Sequence, residues 1–273
     1  MEIRLVASDV DGTILPRGGI ISPRTRAAVA ACVERGVPYV IATGRWFVSA
    51  KVIADALGLT RGVMIIANGG AVVDMQGRPL VEWTLSRARA QGIWQILSRA
   101  DVMVNAFVRD AVYRVRTEAL KEPPKGLGGY LGGRYWMVND DEDRFAECGL
   151  EAPYKLEAYG DDPEVLRRLK AELEGEGYAV TSAYHTNIEI MEAGCGKGRA
   201  LQWLGTRWGI PREQRMAFGD NLNDLDLLLA SGWPVAMGNA VPALKAAARR
   251  TAPPCQEDGE AQLLEEWMEG RWT

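Results

Sequence analysis

The sequence offers few of the side chains on which thiol and imidazole chemistry depend. Its 273 residues include one histidine, His185, and four cysteines. A single imidazole confines Ser-His-Asp catalysis and histidine-rich metal centres to one position. The cysteines, Cys32, Cys148, Cys195 and Cys255, are scattered along the chain and form no C-x-x-C pair. We therefore interpret them as reduced thiols of a cytoplasmic protein.

The sequence also lacks long apolar runs and an excess of positive charge. No run approaches the roughly 18 residues that a membrane-spanning helix needs, and the first residues show no signal-peptide pattern. Lys plus Arg number 32 and Asp plus Glu 36, which gives a net charge of −4. Such a chain has no general attraction to nucleic acid or to an anionic membrane. We expect a small-molecule partner, and the oligomeric state is open between a monomer and a small homo-oligomer.

Short apolar runs alternate with helical patterns in the first third of the chain. Runs of strand length occupy residues 3–8, 37–42 and 63–67, and helical spacing occupies residues 23–35 and 47–57. Apolar strands separated by helices predict a parallel sheet with helices on both faces. The same alternation returns in the last quarter of the chain. We therefore predict an α/β core with a Rossmann-like parallel sheet.

The middle third of the chain has a different order of predicted strands and helices. The predicted elements there are a helix over 86–100, strands over 102–108 and 111–116, a proline- and glycine-rich loop over 122–133, a strand over 154–159, a helix over 163–173, and strands over 178–183 and 187–191. This mixture is typical of an α+β unit. The simplest account is a catalytic core of residues 1–84 and 192–273, interrupted by an inserted α/β cap domain of residues 85–191.

Polar residues stand where the predicted core strands end. Asp9 and Asp11 follow the first strand in "VASDVDGTIL", Thr43 and Gly44 follow the second, and Asp220 follows "RMAF". Ligand sites of open α/β sheets lie outside the carboxyl ends of the strands. Clustered carboxylates without histidine or thiol favour a hard cation, of which Mg²⁺ is the usual one. A metal site is therefore expected at this edge of the core sheet.

Other groups in the same region favour an anion. Lys197 lies in the glycine-flanked turn "GCGKG" before a predicted helix, and Asn223 and Asp224 begin the helix that follows Asp220. A lysine, a hydroxyl and free N–H groups at helix starts favour a bound phosphate. A cation at a helix start opposes the helix dipole, so we expect an anionic partner for the lysine. Asp226, in contrast, is interpreted as a solvated helix residue.

Taken singly, these motifs have other interpretations. The D-x-D pair alone is consistent with a turn cap. An EF-hand loop also begins with D-x-D, but it requires glycine at its sixth position, where Ile14 stands. The stretch "GCGKGR" is not a Walker loop, because Met191 and Gly198 replace its first glycine and its Ser/Thr. Arg45, in "TGR", is equally consistent with a substrate contact and with a structural ion pair.

Taken together, four motifs resemble those of the haloacid dehalogenase superfamily. They are "DVDGT", "TGR", the lysine of "GKGRAL", and "GDNLND", in that order and with matching spacing. The stretches "ANGGA" and "VAMGNA", with the position of the inserted domain, are similar to the Cof-type subfamily of sugar-phosphate phosphatases. The resemblance covers essentially the whole chain, although the inserted domain matches only in size and layout. Leu227 stands where the subfamily usually carries methionine, which should affect packing only.

The resemblance implies a mechanism and a role for each matching residue. Asp9 would attack phosphorus and form an aspartyl-phosphate, while Asp11 would protonate the leaving oxygen and then activate water. Mg²⁺ would be held by Asp9, the Asp11 backbone carbonyl and Asp220, with Asp224 supporting. The groups that would hold the phosphoryl oxygens are the amides of Val10 and Gly44 and the side chains of Thr43, Lys197 and Asn223.

The expected function is therefore Mg²⁺-dependent hydrolysis of a small phosphorylated metabolite, such as a sugar phosphate, with the cap controlling access and substrate choice. A dehalogenase needs no acid/base aspartate two residues after the nucleophile, so Asp11 argues against that chemistry. A phosphomutase and a non-catalytic sensor of a phosphorylated ligand on the same fold remain alternatives. No motif identifies the leaving group.

Overall fold

The computed structural model describes residues 2–109, 111–116, 137–138, 143, 145–182 and 185–272. The chain divides into two compact units, Met1–Val81 with Gly196–Thr273 and Glu82–Cys195. The segment 122–133, predicted to be a loop, lies outside the described residues.

The described residues form the following strands and helices. In chain order the strands are β1 (Leu5–Ser8), β2 (Tyr39–Ala42), β3 (Val63–Ile66), β4 (Ala71–Asp74), β5 (Pro79–Glu82), β6 (Met103–Phe107), β7 (Val112–Arg116), β8 (Met137–Val138), β9 (Lys155–Tyr159), β10 (Ala179–Thr181), β11 (Asn187–Met191), β12 (Arg215–Gly219), β13 (Trp233–Ala236) and β14 (Arg250–Thr251). The helices are α1 (Pro23–Glu34), α2 (Phe47–Ala56), α3 (Arg87–Leu97), α4 (Pro163–Gly175), α5 (Lys197–Trp208), α6 (Leu225–Leu229), α7 (Pro242–Ala247) and α8 (Gly259–Met268). Within the described ranges, no helix is both long enough and apolar enough to cross a membrane.

The first unit is built on a parallel-rich sheet. Its strand order in the described residues is β14-β13-β12-β1-β2-β3-β4-β5, and the pairs from β14 to β3 are parallel. The central strands are buried along their whole length, as expected for a sheet covered on both faces. The predicted α/β fold class is confirmed.

One edge of this sheet departs from the predicted parallel pattern. After β3 the chain reverses, and β4 pairs with β3 in the antiparallel direction. The reversal occurs over a short turn in which Asn68 and Gly69 have positive φ values of 54° and 86°. Asparagine and glycine adopt this left-handed conformation more readily than other residues. The added strands therefore depend on local turn chemistry that the helix–strand alternation does not reveal.

The side of the sheet on which successive strands are added changes at β1. From β1 the chain adds β2 and β3 on one side, while β12, β13 and β14 lie in sequence order on the other side. Right-handed crossovers then place the connecting helices of the two halves on opposite faces. At such a switch point the loops after neighbouring strands separate and leave a crevice at the carboxyl ends. The loops after β1 and β12 carry Asp9 and Asp220.

The second unit contains a mainly antiparallel sheet. Its order in the described residues is β10-β11-β9-β6-β7-β8, with only β7 and β8 running parallel. Alternate residues along a strand share a face, and one face belongs to an apolar core that includes residues of α3 and α4. That core contains Ile93, Leu97, Val104, Ala106, Leu156, Ala158, Leu166, Leu169, Ile188 and Ile190. This unit therefore has its own hydrophobic core.

Candidate active site

Three separate segments bring a lysine and three aspartates together at the switch point. The Lys197 Nζ lies 2.6 Å from Asp9 Oδ1 and 2.6 Å from Asp224 Oδ1. The lysine is 0% exposed, and Asp224 is also fully buried. Lys197 begins α5, so its ammonium stands where the helix dipole is unfavourable to a cation. The two carboxylates provide the anionic partners that the sequence led us to expect.

Asp224 organises the loop that follows β12. Its second oxygen, Oδ2, accepts the backbone N–H groups of Asp220 at 3.0 Å and Asn221 at 3.1 Å. With Oδ1 bound to Lys197, both carboxylate oxygens are engaged by the protein. Asp224 therefore fixes the position of Asp220 and of the lysine.

Burial and repulsion from neighbouring carboxylates disfavour charge on Asp9 and Asp220. Desolvation raises the pKa of Asp9 well above its ordinary value, and the nearby Asp224 raises it further, although Lys197 acts in the opposite direction. Burial and Asp224 also raise the pKa of Asp220. Burial alone would lower the pKa of Lys197, but attraction to Asp224 and Asp9 outweighs it and the pKa is raised. The lysine is therefore a permanent cation.

The same cluster fits a divalent metal ion. Asp9, Asp220 and Asp224 can each offer one oxygen, and these three atoms lie within 4.8 Å of one another. Three carboxylates and one ammonium carry −3 and +1, a formal surplus of −2 that one divalent cation neutralises. Oxygen-only donors suit a hard cation. Since Asp224 has both oxygens engaged, Asp9 and Asp220 are the better placed ligands.

Asp11 forms an ion pair with Arg45. The arginine donates from Nε to Asp11 Oδ2 at 2.8 Å and from Nη2 to Asp11 Oδ1 at 2.6 Å. Its third nitrogen, Nη1, donates to the Ser49 hydroxyl at 3.1 Å. This bidentate geometry orients both carboxylate oxygens of Asp11. Of the two interpretations of Arg45, the structure supports the ion pair.

Apart from Lys197, which begins α5, the predicted phosphate ligands lie on the loops after β1, β2 and β12. Among the residues that the structure describes, no acceptor is found for the N–H groups of Val10 and Gly44. Thr43 is fully buried. The Asn223 side-chain amide donates to Asn68 Oδ1 at 3.4 Å, and a Cβ on Gly44 would lie 2.8 Å from that same oxygen. Val10 is fully buried, and an unpaired N–H in a buried setting is rare and suits an anionic ligand.

The interpretation of Asp226 as a solvated residue is wrong. Its Oδ2 accepts the backbone N–H of Gly198 at 2.8 Å, and burial raises the pKa of its carboxyl group. The residue before α5, Gly196, offers no side-chain cap, so Asp226 supplies the cap from another segment. A Cβ on Gly198 would lie 2.2 Å from the Asp226 carbonyl oxygen. The glycines around Lys197 were the available signal of this close approach.

Asn239, in the stretch "VAMGNA", is a further residue that sequence reasoning did not assign to the site. Its Nδ2 donates to the Gly12 carbonyl at 2.8 Å and lies 3.3 Å from Asp220 Oδ2. Its Oδ1 accepts the Cys255 N–H at 2.8 Å. Gly12 itself has a φ of +92°, and a Cβ there would lie 2.2 Å from Asp220 Oδ2. Asn239 therefore joins the loops after β1 and β12.

Comparisons with known proteins place this geometry in context. The family model described as haloacid dehalogenase-like hydrolase matches residues 6–264. A 5-amino-6-(5-phospho-D-ribitylamino)uracil phosphatase of Bacillus subtilis is 28% identical over 269 residues, which cover 98% of this chain and 97% of that protein. An HMP-PP phosphatase of Serratia proteamaculans is 29% identical over 278 residues, covering 97% of this chain and 95% of that protein.

A solved structure gives the same result for the fold. The structure of a haloacid dehalogenase-like hydrolase from B. subtilis has a TM-score of 0.85 with this chain and is 26% identical to it. The match covers 96% of this chain and 99% of that one. Similarity therefore extends over both compact units.

Proposed function

The chain belongs to the haloacid dehalogenase-like hydrolases, and we propose that it is a Mg²⁺-dependent phosphatase that acts through an aspartyl-phosphate. The observation that carries the proposal is the buried cluster in which Lys197 contacts Asp9 and Asp224 beside Asp220. The proposed substrate is a small phosphorylated metabolite, such as a sugar phosphate. Relatives named as phosphatases of small phosphorylated compounds support this class.

Asp9 is the proposed nucleophile. Lys197 holds its Oδ1, and no donor to Oδ2 is found in the described part of the chain. A phosphate dianion approaching a cluster with a surplus of negative charge would be repelled strongly at low dielectric. Mg²⁺ bound by Asp9 and Asp220 would supply the positive charge that permits the approach. The attacking carboxylate oxygen then forms a bond to phosphorus as the bond to the leaving oxygen breaks.

The loops after β1, β2 and β12 supply groups for the phosphoryl oxygens. The Val10 and Gly44 N–H groups have no acceptor within the described residues, and the ammonium of Lys197 carries a full charge. The hydroxyl of Thr43 and the amide of Asn223 complete the proposed set. Donors that are fixed before the substrate arrives stabilise the transition state without reorganisation.

Asp11 is the proposed acid and base. It would protonate the leaving oxygen in the first step and become a carboxylate. In the second step the water oxygen attacks phosphorus, the bond from Asp9 to phosphorus breaks, and Asp11 receives the proton of the water. The ion pair with Arg45 is formed by the carboxylate form of Asp11. We therefore expect Arg45 to release one Asp11 oxygen whenever Asp11 carries the proton.

The inserted unit is the proposed source of substrate selectivity. The core motifs supply ligands for the phosphoryl group but none that we can assign to the leaving group. Choice among leaving groups requires contacts that differ between substrates. We therefore propose that residues of Glu82–Cys195 make that choice.

The test is phosphate release from a panel of sugar phosphates, nucleotides, pyridoxal phosphate and phosphorylated pyrimidines, with Mg²⁺ or with chelator. We expect Asp9→Asn to fold and to lose turnover, because the amide keeps the shape of the carboxylate but is not a nucleophile. Asp55→Asn is the matched control, since that residue lies in an exposed ion pair on α2. Wild-type rates in Asp9→Asn would contradict the covalent mechanism. Transfer to a second sugar instead of water would identify a phosphomutase, and binding without release would identify a sensor.

A further inference from the structure

Glu260, in the first turn of α8, is a buried carboxyl group that the proposed mechanism does not use. It is 1% exposed, and no cation contacts it in the part of the chain that the structure describes. Its Oε1 accepts the Tyr39 hydroxyl at 2.7 Å, and its Oε2 lies 2.6 Å from the Ser8 Oγ. Burial raises the pKa of this carboxyl group to about 7, although the hydrogen bonds with Ser8 and Tyr39 act in the opposite direction. Well-packed apolar side chains often replace buried charges without loss of stability.

Ser8 connects Glu260 to the main chain of the proposed nucleophile. Its Oγ lies 2.6 Å from Glu260 Oε2 and 2.8 Å from the Asp9 carbonyl oxygen. A serine hydroxyl has one proton and can donate one strong hydrogen bond. When that proton goes to the Asp9 carbonyl, the Ser8 oxygen is free to accept a hydrogen bond from Glu260. A neutral carboxyl group at Glu260 satisfies both short contacts at once.

The Asp9 carbonyl belongs to the same peptide group as the Val10 N–H. A trans peptide group is planar, so its C=O and N–H point in opposite directions. Val10 is fully buried, and its N–H has no acceptor among the described residues. Whatever orients the Asp9 carbonyl therefore also orients the Val10 N–H.

We propose that Glu260 is a positioning residue: through Ser8 it fixes the Asp9–Val10 peptide so that the Val10 N–H faces the phosphoryl group. The inference rests on the proposed function, because it takes that N–H as a phosphate donor. A purely structural role is the alternative, since Glu260 also joins α8 to β1 and β2 through Ser8 and Tyr39. A structural role predicts that an apolar replacement of similar size lowers stability, whereas a positioning role predicts that it lowers kcat and phosphate affinity.

The experiment compares Glu260→Leu, Glu260→Gln and Ser8→Ala with the wild type. Leucine fills the space without a hydrogen bond, whereas the glutamine amide can donate to Ser8 and accept from Tyr39. Glu265→Gln is the matched control, because that residue lies on the same helix and pairs with Arg24 at the surface. Two quantities are measured: kcat and KM for p-nitrophenyl phosphate with Mg²⁺, and the Kd of inorganic phosphate by calorimetry. Thermal unfolding reports whether each variant folds.

We expect Glu260→Leu to fold as stably as the wild type and yet to lose about tenfold in kcat, as does Ser8→Ala. A factor of ten corresponds to about one hydrogen bond. Both variants should bind phosphate about tenfold more weakly, and the double variant should lose no more than either alone. Glu260→Gln and Glu265→Gln should have kcat and phosphate Kd within about twofold of the wild-type values. A twofold change is well below the effect of losing one hydrogen bond.

Wild-type kcat and phosphate affinity in Glu260→Leu and Ser8→Ala would overturn the inference, and so would a loss in Glu260→Gln equal to that in Glu260→Leu. Should Glu260→Leu fail to fold, Ser8→Ala decides, because it removes a single oxygen atom. If the wild type releases phosphate from no ester, the proposed function fails by itself. Phosphate binding then decides the inference: weaker binding by the variants supports it, and equal or absent binding overturns it.

Discussion

Replacement of Lys197 by methionine should cause a large loss of stability. The ammonium is 0% exposed and contacts two carboxylates at 2.6 Å each. Removal of one member of a buried ion pair costs about 3–5 kcal/mol, because the remaining charge is left uncompensated. Lys51→Met is the matched control, since its ion pair with Asp55 has side chains 32% and 57% exposed. Exposed pairs contribute about 0.2–1 kcal/mol.

The loss should depend on pH. Without the ammonium, the pKa values of Asp9 and Asp220 rise further in the folded protein, because a favourable charge has been removed. A carboxyl group whose folded pKa is raised contributes stability below its unfolded value, about 3.9, and loses that contribution as the pH rises through the folded value. The difference in stability between wild type and variant should therefore be larger at pH 8 than at pH 5.

The assay is urea unfolding followed by tryptophan fluorescence in the presence of chelator, at both pH values. Nine tryptophans supply the signal. Addition of Mg²⁺ at pH 8 should restore part of the stability of Lys197→Met, because the metal replaces lost positive charge. A loss at pH 8 no larger than that of Lys51→Met, or one that does not change with pH, would refute the account of the cluster.

Four other outcomes follow from the structure. Asp11→Asn should let the phosphorylated protein accumulate in rapid-quench experiments, and no accumulation would count against its role in the second step. Asp220→Ala should raise the Mg²⁺ concentration needed for half-maximal activity at least about tenfold, since a carboxylate ligand is lost; an unchanged requirement would exclude it as a ligand. Glu260→Gln should be more stable than the wild type at pH 8 by up to about 3 kcal/mol, because the pKa of Glu260 is about 7 in the folded protein and 4.5 when unperturbed. The difference should vanish below about pH 4.5, and an equal difference at pH 8 and below about pH 4.5 would contradict the prediction. Replacement of residues 86–190 by a short linker should reduce turnover of sugar phosphates more than that of p-nitrophenyl phosphate, and unchanged selectivity would reject the role given to this unit.

Local patterns in the sequence predict much of the fold. The strand over 187–191 agrees with β11 at both ends, and the helix over 163–173 ends two residues before α4 does. Buried strands and capped helices can be predicted from neighbouring residues, because the hydrophobic period, the capping residues and the terminating glycine lie within a few positions of one another. The strands β4 and β5 were not predicted, because each follows a short turn with positive φ values, at residues 67–69 and at Gly77.

The candidate site also has residues that the sequence predicts and residues that it does not. The carboxylates of Asp9 and Asp220 stand at strand ends that the sequence reveals. Glu260, in contrast, meets Ser8 across 252 residues, and Asp226 caps a helix that begins 29 positions earlier, at Lys197. Such contacts exist only after the sheet and helices have packed, so no local pattern identifies them. Tertiary structure was needed to find both.

The position of β1 between β2 and β12 has a consequence for synthesis. The strand β1, which precedes Asp9, leaves the ribosome well before β12, yet its Leu5 pairs with Arg215 of β12. Until that partner is made, β1 lacks one of its two neighbours, while Glu82–Cys195, with its own hydrophobic core, can fold as a unit. Closing so long a separation is slow compared with local pairing. The nascent chain therefore carries Asp9, the proposed nucleophile, without its buried partners until the segments that contain Lys197, Asp220 and Asp224 are made, and only then can the site assemble.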